Sequence, residues 1–151
     1  MAPINTKNVH RTNYLMGNAY GDDFVYDEML LTGDGDQGKA AADFVAKDDS
    51  FAKSPLKPGE GPSKEEREAG NYEVAFVAQA DDGQLLVTSV AGDKDPGYGS
   101  TSKMLAESAV CLLRNPELAG GGIWTPAAAL GNALIERLEA NAGLSFKIES
   151  P

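Results

Sequence analysis

Gln84-Leu-Leu-Val-Thr-Ser-Val-Ala91 runs directly into Gly92-Asp-Lys-Asp-Pro-Gly-Tyr-Gly-Ser-Thr-Ser-Lys-Met-Leu-Ala-Glu-Ser-Ala-Val-Cys-Leu-Leu-Arg114. The first run is β-rich, the Pro/Gly segment turns the chain, and a helix is predicted to start between Ser100 and Ser102. Upstream, Asn71 to Ala80 is a second β-rich run, joined to the first through Ala80-Asp-Asp-Gly83. Gly at the tip of such a loop supplies the positive φ that a hairpin needs. Tyr72, Val74, Phe76 and Ala78 would face one way, and Glu73, Ala75, Val77 and Gln79 the other, as in a half-buried antiparallel pair. On the helix, Met104, Leu105, Ala109, Leu112 and Leu113 mark an apolar face, with Lys103, Glu107 and Arg114 outward.

The downstream chain extends this unit. Asn115-Pro116 stops the helix, and Thr125-Pro126 opens another, with Thr125 as N-cap and Pro126 in the first helical position. Leu130, Leu134 and Leu138 repeat every four residues, Gly143 ends the helix, and Leu144 to Glu149 alternates as a final strand. Upstream the signals thin out. Met1 to Gly21 reads as a short helix or an extended lead-in, with Val9, Thr12, Asn13 and Met16 at helical spacing. Phe24 to Thr32 is a strand candidate with imperfect alternation. Lys39 to Lys47 reads as a short helix with Ala41, Phe44 and Val45 inward. Residues 48–68 carry Pro55, Pro58, Gly59, Gly61 and Pro62 and read as a long flexible loop, a lid or a disordered excursion. It closes on a capping box from Ser63 to Glu66. The elements fit one α+β domain over residues 1–151: a two-layer mixed or antiparallel sheet with helices packed on one face.

Composition narrows the function classes. The chain has 151 residues, 13 Lys plus Arg against 23 Asp plus Glu, and a net charge of −10. That field repels phosphate backbones and anionic membranes, which argues against nucleic-acid and membrane partners. No basic-plus-apolar leader opens the sequence and no apolar run reaches the ~18–20 residues of a membrane span, so a cytoplasmic protein is expected. One cysteine, Cys111, precludes an intramolecular disulfide and sits among Val110, Leu112 and Leu113 as a packing residue.

Several motifs fail on inspection. Gly33-x-Gly35-x-x-Gly38 is a literal dinucleotide fingerprint, but Asp34 and Asp36 would oppose a pyrophosphate and no second parallel strand follows. A turn with Gly-dependent geometry is the better reading. Asp34 and Asp36 do not make a calcium loop, because Val45 stands where a bidentate Glu is needed. With one His and one Cys no ordinary zinc site can be assembled, and His10 has no serine elbow to serve. Trp124, beside a Gly triplet, is read as a packing anchor. What survives is the turn at Tyr98, Gly99, Ser100, Thr101 and Lys103, where a helix N-terminus could hold an anion or substrate. The plainer alternative is a well-capped helix after a tight turn.

Asn8-Val-His-Arg-Thr-Asn13, Tyr20-Gly21…Phe24-x-Tyr26-x-Glu28, Gly92 to Met104, and Gly122-Ile-Trp-Thr-Pro-Ala-Ala-Ala-Leu-Gly131 with Leu134-Ile-Glu-Arg-Leu138 share their order and spacing with one family. Over nearly the whole chain from Asn8, they resemble the C-terminal part of saccharopine-dehydrogenase-like oxidoreductases, also called trans-acting enoyl reductases. The resemblance implies a parent in which a Rossmann domain precedes this region and binds NAD(P). No strand, Gly-rich turn and helix unit lies before Asn8, so this chain is expected to bind no cofactor alone. It is also expected to be inactive in isolation. The implied role is a substrate-side and dimerisation domain that partners the missing Rossmann domain and forms a homodimer. No catalytic residue is carried over. The alternative is a non-catalytic interaction module that docks a partner or a second copy through its apolar faces.

Overall fold

The computed structural model describes residues 2–49, 57, 59–118 and 120–150. Five helices and three strands follow in the order α1 (Ala2–Leu15), α2 (Gly35–Lys47), α3 (Lys64–Ala69), β1 (Tyr72–Gln79), β2 (Leu85–Gly92), α4 (Gly99–Arg114), α5 (Pro126–Asn141) and β3 (Leu144–Ser150). The strands form one antiparallel sheet in the order β1-β2-β3. The class is α+β, with helices packed on the sheet, as the periodicities indicate.

The hairpin forms in register, Tyr72 opposite Gly92 and Gln79 opposite Leu85. Its turn is closed by Ala80 N–H to Gln84 O and Gly83 N–H to Ala80 O, both 2.9 Å. β3 returns beside β2 after α4 and α5, with Val90 opposite Phe146 and Gly92 opposite Leu144. Those residues share one sheet face, and the α4–α5 pair lies on it. The core is Cys111 from α4, Ala129, Leu130, Leu134 and Leu138 from α5, and Ala142 and Leu144. Val90, Met104, Ala133 and Phe146 pack around them. The leucine repeat of α5 is thus the apolar spine, and Cys111 is fully buried within it. A break at Gly131 (φ 50°, ψ −133°) kinks α5 after Leu130, a conformation open to glycine and costly for other residues.

Four expectations are corrected. Phe24 to Thr32 forms no strand, and Met29, Leu30 and Leu31 remain exposed. A strand is stabilised by cross-strand pairs, and this segment pairs with none of the three strands of the sheet. α2 starts at Gly35 and buries only Gly38, so Phe44 and Val45 do not point inward. On α4 the stripe facing α5 and the sheet is Ser100, Met104, Glu107 and Cys111, whereas Leu105, Leu112 and Leu113 are exposed. β1 is exposed along almost its whole length, so the hairpin is half-buried only on its β2 side.

The N-terminal segment is a helix, α1, whose contact with the rest is polar. Buried Asn13 donates to Gly21 O at 2.8 Å and accepts from Tyr20 N–H at 2.7 Å, which ties down the turn after the helix. His10 stays exposed and meets the Phe24 ring edge-on at 5.5 Å. The Gly33–Gly38 segment is a tight turn: a Cβ on Gly38 would lie 2.0 Å from Gly33 O. The Ser63–Glu66 capping box is complete. Much of the expected lid in 48–68 falls on 50–56 and 58, outside the described residues. Among the described residues no helix is long and apolar enough to cross a membrane.

Candidate functional site

The elbow between β2 and α4 brings Tyr98, Gly99, Ser100, Thr101 and Lys103 together, and it fills its own anion position. The Asp95 carboxylate accepts N–H bonds from Gly97 (2.9 Å), Tyr98 (3.2 Å) and Gly99, the three amides that would otherwise face a ligand. Gly99 N–H above all holds the Asp95 carboxyl below the usual aspartate range. The Tyr98 and Gly97 amides and the Arg67 charge add to this, against a push upward from burial. The elbow is fastened on its other side by Asp95 N–H to Arg67 O (3.0 Å) and Ser100 N–H to Asp95 O (2.8 Å).

The remaining side chains of the turn are also engaged. Ser100 is fully buried and shares a 2.9 Å hydrogen bond with Tyr72 OH. Tyr72 reaches it by lying across Gly92, where a Cβ would come within 2.3 Å of the ring. Thr101 donates to Pro96 O at 2.6 Å. Lys103, expected outward, is half-buried: it pairs with Asp93 at 3.5 Å and donates to Ala142 O at 3.4 Å. Its charge therefore sits at the C-terminal end of α5, where cations are favoured. Tyr98 is about half exposed, with one edge of its ring beside Gly61.

A capping role for Asp95 has a pH signature. A carboxyl whose folded pKa lies below its unfolded value of about 3.9 stabilises the fold above that value, and the contribution is lost as pH falls through the folded pKa. Asp95→Ala should therefore lower the melting temperature at pH 7 by on the order of 5 °C. The gap to the unmodified chain should close as the pH is taken from about 4 towards 2; a gap independent of pH would show that the carboxylate charge is not its cause.

A second constellation joins the two ends of the sequence. Arg11 Nη2 donates to Ile123 O at 2.8 Å, and the Thr12 and Thr125 hydroxyls meet at 2.7 Å across 113 residues. Thr12 also donates to Asn8 O at 2.9 Å, so Thr125 supplies the proton of the Thr–Thr bond. Thr125 stands at the N-cap position of α5 but makes no side-chain cap there. Trp124 Nε1 donates to Gly120 O at 3.0 Å, which sets the indole as a wall. The result is an open groove of about 390 Å³ lined by Asn8, Val9, Thr12, Trp124, Thr125 and Pro126. Its two halves stand in the sequence as separate motifs that periodicity does not join. The signal available there was polar: Asn8, Thr12 and Asn13 share one side of a helix too poor in apolar residues to dock by burial.

What fold and groove define is an α+β sheet-and-helix unit with an incompletely covered apolar surface. Similarity gives that unit relatives. A Mycobacterium tuberculosis protein provisionally named trans-acting enoyl reductase is 35% identical over 97% of this chain and 39% of its own length. Trans-acting enoyl reductases of Mycobacterium ulcerans and Mycobacterium bovis are each 33% identical, over 90% and 91% of this chain and 37% of theirs. The chain thus spans about two fifths of the length of these relatives and is homologous to that part of them. No protein-family model matches it. No solved structure matches it.

Proposed function

We propose that this chain is the substrate-side and dimerisation domain of a saccharopine-dehydrogenase-like, NAD(P)-dependent enoyl reductase, inactive by itself. The observation that carries this is the alignment: 97% of the chain maps onto 39% of a relative named for enoyl reduction. Reduction of an enoyl double bond needs a hydride donor. The described residues contain one antiparallel sheet and no parallel strand–helix–strand unit of the kind that cradles a dinucleotide. The donor would therefore be held by the remaining three fifths of such a parent, and a cytoplasmic setting goes with that chemistry.

The surface supports the reading. Seven buried apolar residues make the core, while twenty-three large apolar residues of the described chain are exposed. Exposed apolar area on that scale marks contact surfaces. Within this proposal, Tyr98, exposed at the elbow, is the side chain best placed to touch a substrate or the cofactor domain. Gly99, Ser100, Thr101 and Lys103 hold the wall behind it.

Calorimetric titration of the chain with NADPH and with NADH is expected to give no saturable heat. Saturable binding of either would overturn the assignment to a domain that leaves the cofactor elsewhere. The reading as an interaction module shares the exposed surface but has no account of the enoyl-reductase alignment.

A further inference from the structure

The two edges of the sheet are built differently. β3 carries Lys147 and Glu149, its register with β2 breaks between Val87 and Thr88, and α5 packs against it. Charges and irregularities of this kind keep an edge strand from pairing. β1 has none of them: Tyr-Glu-Val-Ala-Phe-Val-Ala-Gln contains no lysine, no proline and one charge, pairs without a break, and is exposed from Glu73 to Gln79. Among the described residues no strand pairs with its outer edge. An eight-residue strand with one row of backbone N–H and C=O groups open is a template for a further strand.

We propose that β1 pairs antiparallel with β1 of a second copy, on a two-fold axis through Phe76, giving a continuous six-stranded sheet. This rests on the dimerisation role proposed above and names its surface. The register follows from the side chains. A two-fold axis perpendicular to the sheet keeps the helix-bearing faces on one side, so residues of like parity oppose each other. Centring on Phe76 places Phe76 against the partner's Phe76, Val74 against the partner's Ala78, Ala75 against the partner's Val77 and Glu73 against the partner's Gln79. The strand's one carboxylate then meets an amide that can donate to it, and the two Glu73 side chains stand about 20 Å apart. Centring on Ala75 would set Glu73 against Val77, and centring on Val77 would set it against Asp81, a like-charge pair. In a chain of net charge −10, a register that separates the carboxylates is the one that can close. Phe76 and Val74, both exposed in the single copy, are covered by it.

Sedimentation of the whole chain is expected to show a dimer at high micromolar concentration. Phe76→Cys should cross-link to a covalent dimer under mild oxidation, because Cα atoms of opposed antiparallel residues lie within the about 4.4–6.8 Å that a disulfide spans. Ile148→Cys, exposed on β3, should not, and buried Cys111 makes the parent chain an inert control. Phe76→Lys should weaken self-association roughly tenfold or more, with far-UV circular dichroism unchanged, since two ammonium groups would face each other at the axis. Sedimentation of the unmodified chain as a monomer would overturn both dimerisation and this edge. A dimer that cross-links through Ile148→Cys and not through Phe76→Cys would overturn the edge alone, leaving dimerisation standing.

Discussion

Leu134→Ala should destabilise the chain by about 3 kcal/mol, within the 2–5 kcal/mol range for removing a buried leucine side chain. Leu134 lies with Leu130, Leu138, Cys111, Ala142 and Leu144 in a core of seven buried apolar residues among those described, so its loss opens a void with few neighbours to refill it. The Gly131 break fixes where Leu130 and Leu134 sit relative to each other, which limits how far α5 can slide to close the gap. A fall in melting temperature of roughly 6–12 °C is expected for a chain of this size. Leu134→Met, which conserves volume, should cost less than about 1.5 kcal/mol. A loss below about 1 kcal/mol for Leu134→Ala by denaturant titration would mean the α5 seam is not the core.

Glu107→Ala comes next in size, at about 2–3 kcal/mol. Glu107 and Arg137 form a direct ion pair between α4 and α5, and Asn141 Nδ2 reaches the same carboxylate oxygen at 3.4 Å. The side chains are 18% and 20% exposed, so the pair is mostly withdrawn from water. Removing the carboxylate leaves the guanidinium charge unpaired there, and Arg137 Nε already has no hydrogen-bond partner among the described residues. Breaking a fully buried pair costs about 3–5 kcal/mol, and the residual exposure of this one brings the expectation lower. Replacing both partners should recover most of the loss: Glu107→Leu with Arg137→Met exchanges a desolvated pair for apolar contact across the same seam. If the double variant were no more stable than Glu107→Ala, the stranded charge would not be the cause.

Glu107 shows how far periodicity reads α4. The sequence marks a helix there, and the structure has it from Gly99 to Arg114. Its buried stripe is another matter. Leu105, Leu112 and Leu113 carry the larger apolar side chains, yet the stripe turned towards α5 and the sheet is Ser100, Met104, Glu107 and Cys111. An amphipathic pattern ranks the faces of a helix by how apolar they are, whereas Glu107 is drawn inward by a partner thirty residues away, which no local window contains. Tyr72 is the same case in the sheet: its hydroxyl is bound to Ser100 twenty-eight residues on, across a glycine whose missing side chain leaves the space.

The candidate site divides along the same line. That a helix begins near Ser100 after a Gly-rich turn is local, written in Pro96, Gly97 and Gly99. That its amides are already taken is local too, since Asp95 lies only two to four residues before them, as in an Asx turn. The groove between Thr12 and Thr125 was legible only as two separate motifs, because a hydroxyl–hydroxyl bond across 113 residues leaves no periodic trace.

By itself, then, the sequence determined the elements whose causes are short-range: the hairpin from its alternation and its Gly83 turn, α5 from Pro126 and the leucine repeat, β3 from its alternation, and the capping box at Ser63. Tertiary structure decided what those elements do to one another. It left Phe24 to Thr32 unpaired, turned Lys103 and Glu107 inward, packed α5 against β3 and left the β1 edge open. The physical reason is common to all four. Dihedral preference and amphipathic period act over a few residues, while strand pairing, ion pairing and burial depend on which surfaces distant in sequence meet in the folded chain.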